Sequence, residues 1–230
     1  MKTLLLWLEG PLQSWGTDSR FQRRTTLPFP SRSGVLGMLC CAMGRGGEQR
    51  EWLARLRSLD QSVLAFARKG REILARQYLC DFQMAGSGYD TSDPWQDMLV
   101  PKTRDGKRPV GSGSKMTFRY YLQDMAFACA LSMPDDLAEE AVQGLLHPIW
   151  AICLGRKNCT PSAPVFAGLF ADESEAISSA RRLAGEKRTE VFRVVPGADE
   201  EGETMALTDV PLCFGLHKEY ASRYVTVILS

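Results

Sequence analysis

Histidine is almost absent from this chain: 230 residues hold only two, His147 and His217. Neither stands beside an evident nucleophile. No pair of cysteines has the close spacing of a zinc knuckle, so no metal signature is present. No phosphate-binding GxxxxGK[ST] loop, HExxH helix or Ser-His-Asp arrangement occurs. An excess of one charge is missing too, since 28 Lys and Arg face 27 Asp and Glu for a net +1. A generic electrostatic binder of nucleic acid is far more basic. Any nucleic acid held here must therefore meet a local patch, or be held inside a larger assembly. Long apolar runs are also lacking. The opening MKTLLLWLEGP carries one Lys and a run too short for a signal peptide or a membrane span. It reads as a buried first strand, and no membrane contact is expected. The seven cysteines are an odd number in apolar surroundings, which fits free thiols in a reducing cytoplasm.

What is present is an ordinary globular composition, 44% hydrophobic and 24% charged, in a chain long enough to bury a core without staples. Gly10-Pro11 stops the first strand. A helix begins near Ser33, capped by Ser31 or Ser33, and a second spans about 48–59. Residues 62–68 and 71–83 read as strands joined by a hairpin at Lys69-Gly70. Residues 85–115 hold five Gly, three Pro and four Ser, and read as a long functional or disordered excursion. Strands are expected at 116–122, 125–133, 164–170, 190–195 and 222–229, and helices at 135–146 and 173–184. The order β, α, β, excursion, β, α, β predicts an α+β fold: a ferredoxin-like (RRM-like) core over 1–84 and 116–170. The insertion is 85–115, and 171–230 is a C-terminal, β-rich elaboration within one domain.

Charge is segregated along the chain. Residues 20–32 carry four Arg and no acid, and 102–119 carry six basic residues against one Asp. That suits one nucleic-acid face, although a charge run is more often a solvated surface. Four segments carry polar chemistry. In GPLQSWG (10–16), Gln13 and Ser14 can reach base edges or phosphates and Trp15 can stack on a base; the plainer reading makes Trp15 a core plug. In PFPSRSGVLGMLCCAMG (28–44), Ser31, Arg32, Ser33 and Gly34 form a helix N-terminus suited to an anion, with Arg23 and Arg24 nearby. A capped helix with exposed arginines explains the same residues. In CLGRKNCTPSAPVFAG (153–168), Arg156, Lys157 and Asn158 make a donor-rich loop that could grip a phosphate or serve as an ordinary turn. In the excursion, Lys102, Arg104, Lys107 and Arg108 suit an arm that orders on an acidic partner.

Together these blocks resemble one family. GPLQSWG after an apolar strand, then Arg24-Thr25, then PSRSGVLGML, is the N-terminal pattern of CasD-type subunits of type I-E CRISPR Cascade, in the RAMP superfamily. YLQDMAFACAL (121–131), LGRKNC (154–159), PVFAG (164–168) and Ala221-Ser222-Arg223 resemble later blocks of the same branch. The resemblance implies a RAMP core with a β-hairpin thumb at 85–115 and no cofactor. It implies a non-catalytic, cytoplasmic subunit that holds the 5′ handle of crRNA. Its neighbours would be CasC-type backbone subunits and the CasA-type large subunit, with target DNA nearby. It assigns RNA contacts to Gln13, Trp15, Arg24, Ser31, Arg32, Ser33 and Gly34, then Arg156, Lys157 and Asn158, and to Lys102, Arg104, Lys107 and Arg108 in the thumb. The competing reading is a metal-independent ribonuclease that cuts CRISPR repeat RNA, as in type I-C systems.

Overall fold

The first strand, β1 (Lys2–Glu9), is buried on both faces, which is why it reads as a continuous apolar run and not an alternation. Leu4, Leu6 and Leu8 point into one core and Leu5 and Trp7 into another. The computed structural model describes residues 1–16, 22–73, 78–85, 90, 92–99, 102–107 and 115–230. Next come the two-residue strands β2 (Leu12–Gln13) and β3 (Arg23–Arg24), then helices α1 (Arg32–Ala42) and α2 (Arg50–Leu56). β4 (Gln61–Arg68), β5 (Tyr78–Ala85), α3 (Pro94–Leu99), β6 (Lys115–Gln123), β7 (Ala126–Met133) and α4 (Asp135–Leu146) follow. The chain closes with β8 (Phe166–Phe170), α5 (Glu173–Ala184), β9 (Arg188–Pro196), β10 (Glu203–Cys213) and β11 (Glu219–Leu229).

The fold is mixed α/β with largely antiparallel sheets. Seven strands make one sheet in the order β10-β11-β9-β4-β7-β1-β8, antiparallel at every pairing. Helices α1, α2 and α4 cover one face through Val35, Leu36, Leu39, Trp52, Leu53, Leu137 and Ala141. Helix α5 covers the other through Ala176, Ala180 and Ala184, one small residue per turn. Small side chains let the helix lie close against Ala126, Ala128 and Ala130 of β7. Among the described residues no helix is long and apolar enough to cross a membrane.

Two expectations are corrected. The Lys69-Gly70 turn does not close a hairpin. Gly70 does turn the chain, at φ +79°, but β4 pairs with β7 and β9 whereas β5 pairs with β6. β4 is buried nearly end to end and β5 is mostly exposed, so the two strands belong to different sheets. That second sheet centres on β6, with β5 on one edge and β2 and β3 on the other. The second correction is β10, which the acidic run at 199–203 hid. β10 is an edge strand, where Pro211 is tolerated.

Candidate nucleic-acid interface

Three segments far apart in sequence meet beside the N-terminus of α1. The Ser14 amide donates to the Leu154 carbonyl at 3.1 Å. Gly155, at φ +90°, lies so close that a Cβ there would sit 1.8 Å from the Ser14 carbonyl oxygen. Only glycine meets both conditions. Trp15 lies on Gly34, where a Cβ would come within 2.8 Å of the indole ring. The turn at 10–16, the helix start at 31–34 and the loop at 153–159 are thereby one unit.

The unit forms a wall of a groove of about 840 Å³. Arg24, Arg45, Arg156, Lys157 and Lys218 line it, and among the described residues no carboxylate does. Trp150 and Tyr220 line it as well, 48% and 38% exposed, so parts of both rings meet solvent. The polar groups Ser14, Ser31 and Ser33 complete the lining. Burial pushes the Cys40 thiol up to about 12 and raises that of Cys41, so these two groove cysteines stay neutral at pH 7. A carboxylate-free lining of cations and half-open aromatic rings suits phosphates together with unstacked bases.

Several expected contact residues lie beneath this surface. Gln13 is fully buried; its amide donates to the Leu8 and Met125 carbonyls, both at 2.9 Å, and accepts from Trp15 Nε1 at 3.2 Å. Trp15 is 1% exposed and plugs the core. Arg32 is 4% exposed and donates through Nη2 to the Leu56 carbonyl. Burial, aided by Arg223, lowers its pKa to about 10. Trp15 contributes to the groove lining from within the core, and Gln13 and Arg32 support it from behind without lining it. The anion at the start of α1 is also internal. The Arg32 amide donates to Asp209 Oδ2 at 2.7 Å, and Gly34 N–H donates to Ser31 Oγ at 3.2 Å. Gly34 serves close packing of Trp15, where approach of a phosphate was expected.

Arg156 is a half-buried brace. It donates to the Tyr120 carbonyl at 3.2 Å and the Arg24 carbonyl at 2.9 Å, and its guanidinium lies 4.7 Å from the Tyr121 ring centroid. Asn158 Nδ2 donates to the Tyr121 hydroxyl at 3.0 Å. Arg24 and Lys157 are exposed at the groove, and Ser33 is half-buried there. Lys102 pairs with Asp97 at 2.9 Å; Arg104 and Lys107 are exposed on a tight turn and do not line the groove. Arg108 lies outside the described residues.

Sequence reading missed Arg45, Trp150, Lys218 and Tyr220. Arg45 bonds Glu140 at 2.6 Å and stands over Trp52. Trp150 follows His147-Pro148 after α4, and an aromatic residue in an irregular segment just past a proline was the available signal. Lys218 ends the connection between β10 and β11 and Tyr220 lies at the start of β11, near the far end of the chain, with nothing local to mark them.

Residues 3–226 match the family described as CRISPR-associated protein (Cas_Cas5). A curated relative is the CRISPR system Cascade subunit CasD of Escherichia coli (strain K12), 32% identical over 172 residues, covering 72% of this chain and 70% of that protein. A solved chain from a CRISPR RNA-guided surveillance complex is 28% identical at a TM-score of 0.75, covering 99% of this chain and 90% of that one. A second, described as a crystal structure of a Cas protein, is 27% identical at 0.59, covering 99% and 94%. The chain belongs to the Cas_Cas5 family of CRISPR-associated proteins.

Proposed function

We propose that this chain is the crRNA-binding subunit of a Cascade-type surveillance complex, and that it holds the guide's 5′ handle without cutting it. The observation that carries this is the groove, where the three motif blocks converge on a lining with five cations and, among the described residues, no carboxylate. Arg24 and Lys157 meet phosphates, Ser33 adds a hydroxyl donor, and Gln13, Trp15, Ser31, Arg32, Gly34, Arg156 and Asn158 hold the frame, Ser31 being 1% exposed. The names of the relatives supply the assembly.

The strand order β8-β1-β7-β4, with α1 and α4 in the two crossovers, supports a ferredoxin-like RAMP core over 1–84 and 116–170. On this reading 85–115 is the thumb, rooted on β5 and β6, and 171–230 is the elaboration that extends the sheet. Phe82, Met84, Met116 and Phe118 pair across those strands on one exposed face, with Phe82 and Phe118 ring centroids 5.1 Å apart. Such a face suits a CasC-type backbone neighbour. A CasA-type subunit, target DNA and a cytoplasmic setting complete the picture. The buried, neutral thiols and the engaged arginines leave the groove better suited to holding RNA than to cleaving it.

The test is assembly with crRNA. Arg24→Glu with Lys157→Glu should lower crRNA retention in the purified complex, with the deficit against wild type largest at low salt. Retention equal to wild type at every salt concentration would reject the reading.

A further inference from the structure

A second cavity of about 800 Å³ lies on the other face of the large sheet, beneath the C-terminal end of α5. Its walls are Trp7, Pro164, Phe166 and Leu183, the last 52% exposed. Four cations line it, Arg68, Lys69, Lys187 and Arg188, against one carboxylate, Glu9. That carboxylate is already engaged, by Trp7 Nε1 at 2.8 Å and Arg188 Nη2 at 2.5 Å. Arg68 faces Asp124 at 3.3 Å. Two lysines remain. Lys69 and Lys187 are fastened side by side, because the Lys69 amide donates to the Lys187 carbonyl at 3.0 Å. Both are exposed and neither forms a salt bridge among the described residues, although the Lys69 charge acts on the neighbouring Glu72.

Exposed ammonium groups at the rim of a cleft raise the local concentration of anions. An apolar floor under a cationic rim matches a nucleotide unit: the base on the floor, the phosphate at the rim. The volume lies in the range of small-ligand pockets. The geometry points to a second binding site here, for a segment of single-stranded nucleic acid. The site stands apart from the groove and stays whether or not the groove holds guide RNA. Ribose and deoxyribose strands share the required chemistry.

The full-length chain is titrated with fluorescein-labelled oligouridylate and, separately, oligothymidylate at two salt concentrations. Lys69→Glu with Lys187→Glu should weaken binding about tenfold and lower the slope of log K against log salt by about 1. Lys69→Gln with Lys187→Gln, read beside it with thermal melting, should weaken binding at an unchanged melting temperature. Loss confined to one oligomer identifies the sugar of the natural strand. Loss in these variants while Arg24→Glu with Lys157→Glu binds normally would leave this site standing and remove the groove reading. Wild-type affinity for both oligomers in both lysine variants would overturn the proposal.

Discussion

The Asp209 carboxylate accepts the backbone amide of Arg32 at 2.7 Å, although 177 residues separate the two. Asp209 also accepts both forks of Arg223, at 2.7 and 3.0 Å. The first turn of α1 is thus charge-compensated by β10 and β11 from the far end of the chain. A helix start that looks open to a phosphate in sequence is closed from within. The groove must attract RNA by its exposed cations instead.

Asp209→Asn tests that contact. Asp209 is 3% exposed, so the substitution leaves the Arg223 guanidinium without its carboxylate and removes the negative charge facing the Arg32 amide. Breaking a buried pair on one side costs about 3 kcal/mol or more. The urea midpoint should fall accordingly, with the slope unchanged. A midpoint within error of wild type would mean that solvent already screens the pair.

Gly155→Ala should be worse than its size suggests. The new methyl would meet the Ser14 carbonyl at 1.8 Å, and φ +90° is strained for any L side chain. The loop at 153–159 must shift away from the turn at 10–16, opening the groove wall. Both melting temperature and RNA affinity should drop. Gly197→Ala is the control, since φ is +82° there, nothing lies within 4 Å and the residue does not line the groove. It should lose stability by strain alone and keep the groove's affinity.

Some of this was legible in the chain. Expected spans of 135–146 and 173–184 coincide with α4 and α5, because acids and caps mark their starts and Gly185 stops the second. The apolar run of β1 announced its burial. The pairing of β5 with β6 was not legible, since a local turn at Gly70 says nothing about a partner 30 or more residues on. Trp15 shows the same limit. Its sequence fits a stacking residue and a core plug equally, and only its packing on Gly34 decides for the plug.

Trp150 and the pair Arg24 and Lys157 should fail in different ways. Trp150→Ala removes a stacking surface, worth about 1–3 kcal/mol per base, and should weaken crRNA binding by a factor that salt does not change. Reversing Arg24 and Lys157 removes phosphate contacts and should flatten the salt dependence itself. Affinities measured across a salt series separate the two. A Trp150→Ala loss that vanished at high salt would mean the ring acts through the neighbouring charges and not by stacking.

Glu9 carries the clearest pH signature. Burial alone would raise its carboxyl, but the hydrogen bonds from Trp7 and Arg188 and the Arg188 charge bring it below the usual range. A folded-state value below the unfolded one stabilises the protein above the ordinary glutamate pKa of about 4.3. The contribution fades as pH falls through the depressed folded value. Glu9→Gln keeps an acceptor for Trp7 and leaves Arg188, whose side chain is 7% exposed, without its carboxylate. The variant should therefore be less stable than wild type at neutral pH, and the gap should close as pH falls through and below the ordinary glutamate range. Urea midpoints of both proteins across that range measure it. A gap that stayed constant with pH would place the loss in packing and remove the carboxylate from the explanation.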